Sequence, residues 1–129
     1  MIHKLPIRVY YEDTDMAGIV YYANYLRYIE RARSDWVRGL GVDQNLMKER
    51  DGVVFAVRRV EADYLIPAKF DDELVVETVP TQVTGARLVM HQEVKRGEEV
   101  LFTALVTIVT VSDSGQPVRL PPEIRQMLH

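Results

Sequence analysis

The chain has 129 residues, 47% of them hydrophobic and 27% charged, with a formal net charge of −3 and no cysteine. That size suits one domain with one core. The slight acidity gives no field to attract nucleic acid, and the missing thiols exclude disulfides, thiolate metal sites and cysteine nucleophiles. No apolar run approaches the roughly 18–20 residues of a membrane span, and Met1–Pro6 carry no signal-peptide apolar region, so a cytoplasmic location is expected.

A first strand is predicted over Leu5–Tyr11, followed by an acid-rich turn, Asp13-Thr14-Asp15-Met16-Ala17-Gly18. A helix is predicted from about Tyr22 to Arg38, ending at Gly39 or Gly41, since glycine tolerates the left-handed cap. Tyr25, Ile29, Ala32, Trp36 and Leu40 recur at spacings of four and three and form one apolar face. Arg27, Glu30, Arg31, Ser34, Asp35 and Arg38 form the other, with an Arg31–Asp35 pair expected at i, i+4.

Beyond Val53 the pattern becomes that of strands. Val53–Leu65 alternates in part until Pro67 breaks it, and Glu73–Val83 follows. Arg87–Lys95 places Leu88, Met90 and Val94 on one face and Arg87, His91, Glu93 and Lys95 on the other, with Gln92 out of pattern. Thr84-Gly85-Ala86 and Arg96-Gly97-Glu98 read as the flanking hairpin turns. Val100–Val111 is almost continuously apolar and is expected to be covered on both faces. A short terminal helix is expected over Glu123–Leu128. One strand, one long helix and four strands make an α+β chain, with one antiparallel sheet wrapped on one helix.

The chemistry concentrates between Tyr11 and Tyr25. Asp13 and Asp15 precede Gly18, and an aromatic run, Tyr21, Tyr22 and Tyr25, opens the helix. A carboxylate, Asp15, therefore stands beside helix-start N–H groups, whose partial positive charge stabilises an oxyanion. Gly18 lets backbone approach a ligand closely. This arrangement suggests acyl transfer without serine, cysteine or metal; the bland alternative is two aspartates shaping a turn and capping a helix. A calcium loop counted from Asp13 fails, because Ala17 and Asn24 occupy positions that need ligand oxygens and a bidentate glutamate. Ser34, Ser112 and Ser114 lie in no G-x-S-x-G motif, and His3, His91 and His129 form no metal-ligand pair. Asn24 either hydrogen-bonds around the loop or caps the helix. Tyr21 and Tyr22 are candidates to line an acyl pocket, whereas Tyr25 and Trp36 suit the core. Arg58, Arg59, Arg87 and Lys95 sit on strands, where they either meet phosphates or form a solvated face.

The motif Tyr11-x-Asp13-Thr14-Asp15-x-x-Gly18-x-Val20-Tyr21-x-x-Asn24-Tyr25 resembles that of the hotdog-fold acyl-CoA thioesterases. The similarity is to the 4-hydroxybenzoyl-CoA thioesterase-like group and, within it, the YbgC-like branch. It spans nearly the whole chain and includes Tyr64-x-x-Pro67-Ala68-x-x-Asp71-Asp72 and the hairpin around Gly85. The resemblance implies a single hotdog domain over residues 1–129 that dimerises through a joined sheet, often into tetramers. It implies hydrolysis of acyl-CoA without a cofactor or metal. Asp15 would be general base or nucleophile, and the Tyr22 backbone N–H would polarise the thioester carbonyl. On the residues themselves, Gly18, Val20, Tyr21 and Asn24 are the candidates to line the substrate site, and Arg58, Arg59 or Arg87 the candidates to meet the CoA phosphates. The hairpin reads Gly85-Ala86-Arg87, where such enzymes often carry serine or more basic residues.

Two other functions compete. A non-catalytic module would hold an acyl chain or an acyl carrier protein, but it would have no need of Asp15. A hotdog dehydratase would pair a histidine with an acid, and no histidine lies near this motif. Self-association is expected in any case, since one helix cannot cover so much apolar strand and exposed edges invite pairing.

Overall fold

The computed structural model describes residues 2–127; Met1, Leu128 and His129 lie outside the described residues. Strand β1 (His3–Arg8) pairs antiparallel with β3 (Glu73–Val83), Leu5 opposite Val76 and Ile7 opposite Leu74. It stops short of the expected Tyr11. The Asp13 carboxylate takes the Tyr10 N–H at 2.8 Å, and a local side-chain acceptor of this kind competes with a sheet ladder. Tyr11–Asp13 therefore form a single 3₁₀ turn.

Helix α1 (Asn24–Gly39) begins two residues later than expected, because the Asn24 N–H closes a turn onto the Tyr21 carbonyl at 2.8 Å. Of the two candidate stop residues, Gly41 takes the left-handed position, with φ +88°. The Val42 N–H then reaches back to the Val37 carbonyl, which ends the helix in the manner of a glycine cap. Tyr25, Tyr28, Ile29, Ala32, Trp36 and Val37 are buried, and Leu40 packs partly against them. The Arg31–Asp35 pair does not form. Asp35 binds His3 Nε2 at 2.8 Å and Arg38 at 3.3 Å, while the Arg31 guanidinium lies 5.9 Å from the centre of the Tyr28 ring.

The sheet runs in the order β1-β3-β4-β5-β2, with β2 Val53–Tyr64, β4 Arg87–Arg96 and β5 Glu99–Ser112; short β6 (Pro117–Val118) pairs with the last residues of β5. Helix α1 lies along one face. Against it the strands turn Leu74, Val76 and Thr78, then Leu88, Met90 and Val94, then Phe102, Ala104, Val106 and Ile108, all buried. Gln92 belongs to this row. Its amide donates to the Ile29 carbonyl of α1 at 2.9 Å and to Thr78 Oγ1 at 3.0 Å, and its carbonyl accepts from Arg33 at 3.1 Å. A fully bonded amide is tolerated where an unbonded one would be costly.

From Phe102 to Ile108, strand β5 is buried on the helix side only. Its outer residues Thr103, Leu105, Thr107 and Val109 stay partly open, and among the described residues no element covers them. The expectation of cover on both faces is thus not met within one chain, because the single long helix lies on one side. Two elements were not foreseen from the sequence, the helical stretch Gln44–Asp51 and β6. The terminal helix spans Pro122–Arg125, one residue earlier than expected at its start; Leu128 of the expected span lies outside the described residues. No helix among the described residues is long and apolar enough to cross a membrane.

Among the described residues, strand β2 is an edge with one unpaired side. Val57 faces Ile108 and Arg59 faces Thr107, so Arg58 is an extra residue in a bulge. The bulge shifts the alternation by one. Val53, Phe55 and Val57 before it, and Val60, Ala62 and Tyr64 after it, all point to the helix side. Arg59, Glu61 and Asp63 point outward. The sequence alternation over this segment was partial for this reason. Val57, Val60 and Tyr64 are 48%, 40% and 48% exposed, a high value for the apolar row of a strand.

Candidate active site

The segment between β1 and α1 is a tight loop held at both ends. Thr14 pairs with Val20, and Ile19 pairs with Lys69. Inside it, the Asp15 N–H donates to the Ile19 carbonyl at 2.9 Å and the Gly18 N–H to the Asp15 carbonyl at 3.0 Å. Gly18 has φ +79°, a conformation that favours glycine, and open space surrounds the position of a β-carbon. Asp15 Oδ1 accepts from the Ala17 N–H at 2.9 Å; Oδ2 has no partner among the described residues. The carboxylate is thus pinned by one oxygen and exposed at the other.

The rest of the loop is anchored from beneath. Val20 is buried and its N–H donates to the Ala68 carbonyl at 2.8 Å. The Asp13 carbonyl accepts from the Tyr21 N–H and from the Asn24 side-chain amide, both at 2.9 Å. Asn24 is buried, and its bond is the one around the loop rather than a cap. Asp13 holds the loop as well, through its carboxylate on Tyr10. Tyr25 is core, and its hydroxyl accepts from the Ala68 N–H at 3.0 Å. The Tyr28 hydroxyl is pushed up from its ordinary pKa, first by burial and then by the charge of Asp13.

Tyr21 and Tyr22 stand exposed, their rings 5.0 Å apart. Tyr64, the last residue of β2, lies 6.1 Å from the Tyr22 ring and 4.9 Å from Phe102, and its hydroxyl donates to the Tyr22 carbonyl at 3.1 Å. The N–H groups of Tyr22 and Ala23 donate to no acceptor among the described residues. Two free N–H groups at a helix start, on the same loop as a half-engaged carboxylate, can receive a developing negative oxygen while the carboxylate accepts a proton or attacks.

Asp15, Gly18, Val20, Tyr21, Tyr22 and Asn24 therefore share one loop, and the candidate arginines do not join them within one chain. Arg59 is ion-paired with Glu61 on the outer face, and Arg58 sits in the bulge. Arg87 opens β4, seven residues before Val94, whose neighbour Phe102 adjoins Tyr64. At roughly 3.3 Å per residue that is about 23 Å along the strand. Lys69, which sequence reasoning missed, is closer: it is exposed, its bridge to Ile19 sets it beside the loop, and its side chain has no ion-pair partner among the described residues. In the sequence Tyr64 stands out only as part of the Tyr64-x-x-Pro67-Ala68 motif. Asp72, which accepts from the Lys69 N–H and Arg96, is raised by burial but lowered on balance by those bonds and charges.

A cavity of about 160 Å³ opens between the C-terminal half of α1 and β2, lined by Arg33, Val37, Phe55, Val57, Leu88 and Ile108 among others. Arg33 is nine residues along the helix from its first residue, Asn24, about 13 Å at 1.5 Å per residue, so the cavity and the loop lie apart within one chain.

Residues 9–128 match the model of the thioesterase-like superfamily. The chain belongs to this superfamily. It is 40% identical over 98% of its length to a Haemophilus influenzae protein named acyl-CoA thioesterase YbgC, covering 93% of that protein. An Escherichia coli O6:H1 protein named acyl-CoA thioester hydrolase YbgC is 38% identical over 94% of this chain and 87% of its own. A crystal structure of a "probable thioesterase" from Bartonella henselae superposes with a TM-score of 0.90 at 38% identity, covering 94% of this chain and all of that one. The sheet wrapped on α1 is the hotdog fold of these superfamily members.

Proposed function

We propose that this protein is an acyl-CoA thioesterase, converting an acyl-CoA and water to the free acid and CoA. The observation that carries the reading is Asp15, held by one carboxylate oxygen on a turn that leads into the free N–H groups of Tyr22 and Ala23. A thioester carbonyl polarised by Tyr22 N–H gains negative charge at its oxygen as the carbon is attacked. Asp15 either takes the proton of the attacking water or attacks the carbon itself, with water then cleaving the mixed anhydride. In both routes the C–S bond breaks and the proton ends on the CoA sulfur. The similarity to the two YbgC proteins supports the same chemistry. Gly18, Val20, Tyr21 and Asn24 shape the loop that receives the thioester.

A second copy of the chain completes the protein in this reading, paired along the open side of β2. The uncovered row from Val53 to Tyr64 supports it. Among antiparallel registers, the two-fold at Val60 sets Arg59 against Glu61 of the partner subunit and, with the bulge residue Arg58 again left out of the pairing, Tyr64 against Phe55 of the partner subunit. That register matches both outward charges and inward apolar rows. It brings the 160 Å³ cavity of one copy to the aromatic wall of the other, where it would take the acyl end. For scale, an engineered cavity of about 150 Å³ holds benzene.

The deciding experiment measures CoA release from a panel of short, long and aromatic acyl-CoAs, with acyl carrier protein thioesters as a second acyl source. Binding without release from every member would make the protein an acyl-binding module instead.

A further inference from the structure

We propose that Tyr64 is a positioning residue for thioester hydrolysis, its hydroxyl aiming and polarising the Tyr22–Ala23 peptide so that the Ala23 N–H joins that of Tyr22 on the thioester oxygen. The proposal rests on the thioesterase reading above.

The Tyr22 carbonyl and the Ala23 N–H belong to one planar peptide unit. Tyr64 Oη donates to that carbonyl at 3.1 Å. A donor on the carbonyl draws electron density from the same peptide's nitrogen and makes its N–H a stronger donor, as in any hydrogen-bonded chain. It also fixes the plane. Residues 21–23 precede the regular turns of α1, so no helical hydrogen bond holds this plane from the other side. Without Tyr64 the peptide would be free to tilt its N–H away from the loop.

Tyr64 is itself firmly set. Its ring lies 5.5 Å from Tyr25, 4.9 Å from Phe102 and 6.1 Å from Tyr22, and Phe102 is fully buried. The strand ends at this residue, and the N–H groups of Leu65 and Ile66 both return to the Leu101 carbonyl, at 2.9 and 3.1 Å. A carbonyl can only accept, so the phenol must keep its proton. Burial, with Tyr22 and Tyr25 adding to it, holds the phenol pKa above its ordinary value and keeps the donor in place at working pH.

A residue that merely packs would be replaced by phenylalanine without loss, since the ring contacts survive. The proposal expects Tyr64→Phe to lower kcat about three- to tenfold, the range of one neutral hydrogen bond, with KM within about twofold of wild type. Two readouts separate positioning from packing. In an Asp15→Asn background, which turns over slowly, the infrared band of a ¹³C-carbonyl acyl-CoA should fall in wavenumber on binding, and adding Tyr64→Phe should reverse part of that fall. With 3,5-difluorotyrosine at position 64, whose phenol ionises near neutral pH, kcat should show an alkaline loss that wild type lacks. If wild type releases CoA while Tyr64→Phe matches it in kcat and carbonyl band, the positioning role is overturned and the thioesterase reading stands. If wild type releases no CoA from any thioester, both are overturned.

Discussion

Replacing Asp15 by asparagine isolates chemistry from folding, because the structure shows how little of the fold depends on the charge. One carboxylate oxygen accepts from the Ala17 N–H at 2.9 Å, and the side chain is otherwise exposed. Asparagine Oδ1 keeps that acceptor. Exchanging a charged for a neutral acceptor on an exposed turn costs less than about 1 kcal/mol. Unfolding entropy of about 2.1 cal/mol/K per residue gives about 0.27 kcal/mol/K for this chain, so Tm should fall by less than about 4 °C. The catalytic loss is of another order. Asparagine neither takes a proton from water nor attacks a thioester, so kcat should fall at least about 100-fold, or about 2.7 kcal/mol of barrier. KM should change little, since the amide occupies the same volume. The assay is CoA release at saturating acyl-CoA, with circular dichroism melting at the same protein concentration. A variant with Tm unchanged and kcat within threefold of wild type would falsify the role given to Asp15.

Gln92→Leu strands Arg33 and Thr78 under the helix, at about 1–3 kcal/mol for each buried group, part of it offset by the more apolar side chain; Tm should fall about 5–12 °C. The double variant Gln92→Leu/Thr78→Val should recover part of the loss, and a melt within 2 °C of wild type would show that the network adds nothing. Arg59→Glu sets like charges across the proposed two-fold and should raise the dimer dissociation constant at least about fivefold by light scattering, while Arg59→Glu/Glu61→Arg restores it; a swap that restores nothing rules out this register. Lys69→Ala should raise KM for acyl-CoA about two- to fivefold at low salt with kcat unchanged, an effect that added salt erases. If KM for Lys69→Ala is unchanged at every ionic strength, the phosphates are held elsewhere, and Arg87→Ala becomes the variant to measure.

The amino-acid sequence determined what depends on neighbours along the chain. The bounds of β3, Glu73–Val83, coincide with the strand predicted there, and the apolar stripe of α1 is buried as its spacing requires. The acidic turn before that helix was legible because turn chemistry is local, whereas the left-handed conformation of Gly18 came only from the structure. What failed depended on groups far away in the chain. Gln92 broke the alternation of β4 yet is buried, because acceptors and donors on Ile29, Thr78 and Arg33 lie 63, 14 and 59 residues from it. Asp35 left its helical neighbour Arg31 for His3, 32 residues earlier. The bulge at Arg58 moved Val60, Ala62 and Tyr64 to the helix side, and only pairing with β5 reveals which residue is extra. Tyr64 reaches the Tyr22 carbonyl across 42 residues, and Lys69 reaches the loop through Ile19. Side-chain periodicity reports which face of an element is apolar; which polar groups meet across that face is decided only when the strands wrap the helix and each buried donor must find an acceptor.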